Sequence, residues 1–251
     1  MYQQYRPPSA SLLPPAVKNL LIINGLFFLA TYVLKDRGIV NLTQTFGLYF
    51  PLSENFRPYQ FLTYMFMHAD LNHIFFNMLS LWMFGSTIEN LWGWKRFGIF
   101  YGVTAFGGAL LYLAVKYFQI HQLQLQMPPE LFSAIVNGAT SISEPEGSVN
   151  FNKAIELYSL INIPVIGASG AVYGVLLAFG MMFPNTEIMM LFLPIPIKAK
   201  YLVFIMGALE LFLGISNTSG DNVAHFAHLG GMLFGFILVK FWNKTNRKTL
   251  Y

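Results

Sequence analysis

Six stretches of this chain are apolar over lengths that suit a bilayer crossing, and nothing else in the sequence limits its fold as much. A helix rises ~1.5 Å per residue, so roughly 20 apolar residues cross the ~30 Å hydrocarbon layer with every backbone polar group bonded internally. The runs cover 17–34, 71–92, 97–118, 164–183, 200–215 and 223–242. A further apolar patch, 188–193, ends at Pro194 and Pro196 and reads as a connecting loop at the membrane interface. Only 10% of the residues are charged, against about a quarter in soluble domains. The fold class that follows is all-α, a polytopic membrane helix bundle with six transmembrane helices.

The run beginning at Val17 follows the Pro-rich PPSASLLPP and precedes no small-residue cleavage site, so it reads as a retained span rather than a signal peptide. Residues 1–16 are then a cytoplasmic leader, 17–242 one six-span membrane domain and 243–251 a basic cytoplasmic tail. Residues 35–70 are too aromatic for a solvated linker and are expected to pack partly into the membrane surface. An outer insertion, 119–163, carries loop signals and a short amphipathic stretch near Asn152 to Leu160.

Cytoplasmic loops carry the excess of Lys and Arg, which makes orientation readable. One side has Arg6, Lys18, Lys95, Arg96, Lys198, Lys200, Lys240, Lys244, Arg247 and Lys248, ten in all, and the other only Lys35, Arg37, Arg57, Lys116 and Lys153. Both termini fall on the ten-charge side, as an even number of spans requires. The net charge of +4 is not gathered into an aromatic-flanked basic stripe, so nucleic acid is not an expected partner and the lipid bilayer is. With no cysteine, thiolate nucleophiles, zinc–thiolate sites and iron–sulfur clusters are excluded.

Polar residues inside spans are costly and usually face a protein interior or a wet cavity. Ser169 lies in Gly-Ala-Ser-Gly at the outer start of the fourth span, with Tyr173 one helical turn on. His73 and Asn77 share that spacing at the outer start of the second, and His225 and His228 begin the sixth. These three spans run in the same direction, so His73, Asn77, Ser169 and His228 lie at one depth, within about two turns of the outer boundary. A common cavity opening outward is the economical reading.

A serine hydroxyl becomes a nucleophile when a neighbouring base takes its proton, and histidine is the usual base near neutral pH. Ser169 and His228 fill those roles. The backbone N–H of Ser169 at a helix start, with the side chains of His73 and Asn77, supplies donors for an oxyanion. No Asp or Glu neighbours His228 on its own span, so the expected machinery is a Ser–His dyad, with Tyr173 stacking on the imidazole. Gly170 with Gly174, and Gly231 with Gly235, give small faces through which the fourth and sixth spans approach.

The ordered motifs HADLNHIFFN, GASGAVYG and AHLGGMLFG resemble those of the rhomboid family of intramembrane serine proteases, from about Arg57 to Lys240. The resemblance implies Ser169 as nucleophile, His228 as base, His73 and Asn77 as oxyanion contacts, and Glu89 as a structural glutamate at the foot of the second span. It extends to Gly167 and Gly170 flanking the serine, and implies single-span membrane proteins as substrates, with no cofactor and no metal. Tyr59 and Gln60 stand where many members of the family carry Trp-Arg. The expected location is a bacterial inner membrane, with the active site opening outward.

Other readings compete. Glu89, Glu210, His68 and His225 read as structural: helix-to-helix hydrogen bonds for the acids, and loop or interface roles for the histidines. A metal enzyme built on His68, His73, His225 and His228 leaves Ser169 and Asn77 unexplained. A transporter places its polar groups nearer the midplane. An inactive rhomboid-like scaffold that binds membrane segments is the closest rival, and it characteristically lacks the serine or the histidine, both of which are present.

Overall fold

The computed structural model describes residues 10–139, 144–190, 193–216 and 223–247. Arg6 and the start of the leader, 140–143 of the outer insertion, 191–192 of the apolar patch, 217–222, and Lys248 with the end of the tail lie outside the described residues. Helix α1 covers Pro15–Asp36; α2 (Leu42–Phe46) and α3 (Gln60–Thr63) follow in the loop after it. Next come α4 (Leu71–Ser80), a π-helical turn at Leu81–Gly85, α5 (Ser86–Trp92) and the long α6 (Trp94–Gln126). Helices α7 (Pro129–Val136) and α8 (Val149–Asn162) fill the insertion, α9 is Ser169–Met182, α10 is Ala199–Ser216 and α11 is His225–Arg247.

The chain is an all-α membrane bundle. Helices α1, α6, α10 and α11 are each long and apolar enough to cross a bilayer. The other two expected spans take different forms: 71–92 is divided among α4, the π turn and α5, and α9 is a shorter apolar helix. Helix α9 starts at Ser169 rather than at Pro164, because 164–168 is extended and Val165 pairs with Leu48 in an antiparallel bridge. The patch at 188–193 is not a plain loop. Strands β1 (Glu187–Met190) and β2 (Leu193–Lys198) form an antiparallel pair, and the register shifts after Met189. Helix α6 runs well past the expected boundary at 118, α8 occupies the expected amphipathic stretch, and α11 continues through the expected start of the tail.

Close backbone approach sets the centre of the bundle. A Cβ on Gly231 of α11 would lie 1.8 Å from the Gly170 carbonyl oxygen of α9, and one on Gly174 would lie 3.0 Å from the Gly231 carbonyl oxygen. Helix α6 joins them, since a Cβ on Gly108 would meet the Ala227 carbonyl oxygen at 2.7 Å. The glycine faces read from the sequence are thus the α9–α11 contact. Interfaces of this kind rest on van der Waals packing, because lipid offers no hydrophobic drive between helices.

The loop between α1 and α4 is anchored by the residue that departs from the pattern of the family the motifs resemble. Gln60 is fully buried; its Oε1 accepts from the Arg57 amide at 3.0 Å and its Nε2 donates to the Asn55 carbonyl at 2.9 Å. Tyr59 lies partly exposed beside Phe46 and donates to the Thr45 carbonyl.

Glu89 also has a specific task. Its Oε1 accepts from Ala16 N–H at 2.8 Å and its Oε2 from Val17 N–H at 2.7 Å, so a buried carboxylate caps the first turn of α1. The sequence reading has it bonding helix to helix, and the bond runs to a helix N-terminus. In Glu89→Gln an amide NH2 cannot accept, and one of those amides loses its partner. Thermal unfolding in detergent is expected to show a loss of about 1–3 kcal/mol, with kcat per folded molecule unchanged.

Candidate active site

The extended segment 164–168 presents Ser169 as the first residue of α9, half-buried. Four hydrogen bonds fix that segment and the residue before it. Val165 exchanges two 2.9 Å hydrogen bonds with Leu48, the Ile163 carbonyl accepts from Lys116 Nζ at 3.1 Å, and Gly167 N–H donates to the Tyr64 carbonyl at 3.0 Å. Tyr64 is itself tied to α6 through its hydroxyl, which donates to the Ala105 carbonyl at 2.7 Å.

Gly167 has φ +124°, a conformation that L side chains rarely adopt, and a Cβ there would stand 2.8 Å from His73 Nε2 and 3.5 Å from Ser169 Oγ. The glycine is required twice, for its backbone and for the imidazole seated against it. Because His73 Nδ1 accepts from the Ala69 amide at 3.3 Å, the ring proton resides on Nε2. His73 therefore presents an N–H donor beside Gly167 and Ser169. Helix α4 is capped by Asp70, whose Oδ1 accepts from His73 N–H at 2.9 Å. Asn77 is buried one turn further along; its Nδ2 donates to the His73 carbonyl at 2.9 Å, which leaves the second amide hydrogen for another acceptor.

His228 Nε2 lies 2.7 Å from Ser169 Oγ. The Tyr173 ring stacks on the His228 ring, with centroids 4.3 Å apart and planes within 3°. Ser169, His228 and Tyr173 thus meet as the sequence spacing predicts.

The sequence reading puts no carboxylate beside His228, and the structure brings one from another helix. Glu210 of α10 has Oε2 2.9 Å from His228 Nδ1 and 2.6 Å from His225 Nδ1, while Oε1 accepts from the Tyr173 hydroxyl. His225, read as an interface residue, is buried and holds this carboxylate. A usable signal was present: Glu210 lies six residues before the end of α10, and α10 ends on the side where α11 begins. The depth comparison that groups Ser169 with His228 covers this antiparallel helix equally well.

Glu210, His225 and His228 each offer a ligand atom within 4.8 Å of the others. Two ligands held ~2.0–2.1 Å from one tetrahedral zinc stand roughly 3.3 Å apart, whereas the carboxylate–imidazole separations here are shorter, 2.6 Å to His225 in a hydrogen bond and 2.9 Å to His228. His68 and His73 are not part of this group. Their rings lie 4.9 Å apart near α4, so the four-histidine set is not gathered around one point.

His68, in the loop before α4, is 2% exposed, and burial together with the neighbouring His73 lowers its pKa to about 4. Its neutral form is the one the fold accepts. The resulting stabilisation is complete above the unfolded value near 6.5 and is lost as pH falls toward 4. Between those limits the parent should lose about 3 kcal/mol more than His68→Asn in detergent unfolding. Parallel curves for the two chains would contradict this assignment.

The family model described as Rhomboid domain matches residues 55–243. The chain is 29% identical to RHOMBOID-like protein 12, mitochondrial, of Arabidopsis thaliana, over 86% of this chain and 54% of that one. It is 26% identical to Rhomboid protein 1, mitochondrial, of Saccharomyces cerevisiae (68% and 38%) and 27% identical to Rhomboid-like protein 11, chloroplastic, of Arabidopsis thaliana (88% and 62%). The chain spans about half the length of the curated relatives it matches. These three carry mitochondrial or chloroplastic names, which conflicts with the expected bacterial inner membrane. The chain stands as an integral membrane protein.

Proposed function

Because the chain belongs to the rhomboid family, we propose that it is an intramembrane serine endopeptidase. It hydrolyses a peptide bond in or near the transmembrane segment of single-span membrane proteins. The observation that carries this reading is the 2.7 Å separation of Ser169 Oγ and His228 Nε2 inside a membrane bundle.

The chemistry runs as acyl transfer. Ser169 Oγ–H gives its proton to His228 Nε2 as Oγ bonds to the scissile carbonyl carbon, and the carbonyl π pair moves onto oxygen. That oxyanion accepts hydrogen bonds from Ser169 N–H at the start of α9, from His73 Nε2–H and from the remaining amide hydrogen of Asn77. Collapse breaks the C–N bond, and the Nε2 proton leaves with the amine. Water then attacks the ester through the same base, releasing the acid and restoring Ser169.

Six crossings, with both termini on the lysine- and arginine-rich side, put the first residues of α4, α9 and α11 at the opposite face. Substrate helices are cut near that face, where Gly, Ala, Ser or Pro lets a helix unwind and expose its peptide bonds. The partners are such segments and the bilayer itself. The test is the full chain in liposomes with a labelled single-span substrate. Cleavage insensitive to phenanthroline supports the protease, cleavage lost on chelation and restored by zinc supports the metal reading, and binding without cleavage supports the scaffold.

A further inference from the structure

Glu210 is a carboxylate at bilayer depth that the serine–histidine chemistry above does not use. Such a group is costly, and here it is only 7% exposed. It nevertheless is met from two other helices: the Tyr173 hydroxyl donates to Oε1, His225 Nδ1 is hydrogen-bonded to Oε2 at 2.6 Å, and His228 Nδ1 stands 2.9 Å from Oε2 as a charge contact without hydrogen-bond alignment. His228, 8% exposed, shows one ring nitrogen to this carboxylate and the other to Ser169 Oγ.

We infer that Glu210 is a positioning residue that completes a Ser169–His228–Glu210 triad, and this rests on the protease reading above. The reason lies in the two tautomers of imidazole. His228 can accept the serine proton only if Nε2 is bare, which requires its own proton on Nδ1. The carboxylate charge 2.9 Å from Nδ1 favours a proton on that nitrogen, although Oε2 stands off the ring's N–H direction and Nδ1 makes no hydrogen bond in this arrangement; the ring plane is held by the Tyr173 stack. When Ser169 Oγ–H transfers its proton to Nε2, the imidazolium forms beside a carboxylate that is already in place. Glu210 takes no proton in this step. Its charge attracts the new positive charge through surroundings of low dielectric, where the interaction exceeds its value in water.

Tyr173 and His225 complete the arrangement. Tyr173 stacks on His228 with planes within 3° and also donates to Glu210, so one side chain sets both the ring plane and the carboxylate. His225, one turn before His228 on α11, holds the oxygen that faces Nδ1. A purely architectural carboxylate would tie α9, α10 and α11 together whatever the tautomer of His228. The two roles therefore separate in kinetics.

The experiment uses the full chain in liposomes with a labelled single-span substrate, and compares the parent with Glu210→Gln and Glu210→Asp. Cleavage kinetics, the rate of labelling by a fluorophosphonate and thermal unfolding are measured on each. Gln keeps the shape but can present an NH2 to Nδ1, which favours the wrong tautomer, so kcat is expected to fall roughly 10²- to 10⁴-fold with KM within about twofold. Labelling slows in parallel. Asp keeps the charge and retains more kcat than Gln. Parental kcat in a folded Glu210→Gln overturns the inference, as does a loss confined to KM or to thermal stability. Should Glu210→Gln not fold, Glu210→Asp carries the test: its carboxylate is drawn back by one methylene, and parental kcat there overturns the inference equally. A parent chain that neither cleaves nor labels overturns the protease reading itself, whereas a cleaving parent beside an equally active Glu210→Gln removes only the third member.

Discussion

Ser169→Ala and His228→Ala are each expected to reduce cleavage of a single-span substrate by roughly 10⁴- to 10⁶-fold, and the double variant to cleave no worse than either alone. The two side chains act as one unit across a 2.7 Å contact, so removing either leaves the other with nothing to do. Fold is expected to survive both changes. Ser169 is half-buried at a helix start, and the close backbone approach of α9 and α11 at Gly170, Gly174 and Gly231 involves neither side chain. Product formation, followed on gels over several decades of enzyme concentration with thermal unfolding as control, gives the answer. Additive losses would mean that the serine and the histidine contribute separately.

His73→Ala and Asn77→Ala are expected to lower kcat by roughly ten- to a thousandfold with little change in KM, because each removes a donor aimed at charge that develops only in the transition state. His73 should show the larger loss. Its Nε2–H lies against Gly167 next to Ser169, whereas Asn77 spends one of its two amide hydrogens on the His73 carbonyl. Since Ser169 and His228 remain, fluorophosphonate labelling of both variants slows but stays measurable. Equal kcat in Asn77→Ala and the parent would reduce that residue to packing. Labelling abolished in His73→Ala would move His73 from oxyanion contact to support of the nucleophile.

What the sequence made legible, and what it hid, divides along one physical line. Depth can be counted along a helix, so spacing alone brought His73, Asn77, Ser169 and His228 to one level, and the small faces of α9 and α11 meet as their glycines imply. Rotation of one helix against another cannot be counted in this way. Glu210 is the example: its contact with His228 depends on how α10 turns toward α11, and a rule that looks for a partner on the same span passes over it. The start of α9 was obscured for a related reason. Pro164 to Ala168 is apolar enough to continue a span, but the pairing of Val165 with Leu48 and the φ of +124° at Gly167 keep it extended. Gln60 shows the reverse case, in which a departure from the family's usual pair marks a buried side chain that ties its loop together by hydrogen bonds.

The central claim is that Ser169 is an activated nucleophile inside a membrane bundle, and covalent capture tests it most directly. The full chain in detergent is treated with a fluorophosphonate, digested, and its peptides are read by mass spectrometry. The expected result is a single adduct on the peptide that carries Gly167 to Gly170, lost in Ser169→Ala and strongly slowed in His228→Ala. An adduct that persists in Ser169→Ala, or a parent chain that takes up no reagent under conditions where it cleaves substrate, would contradict the claim.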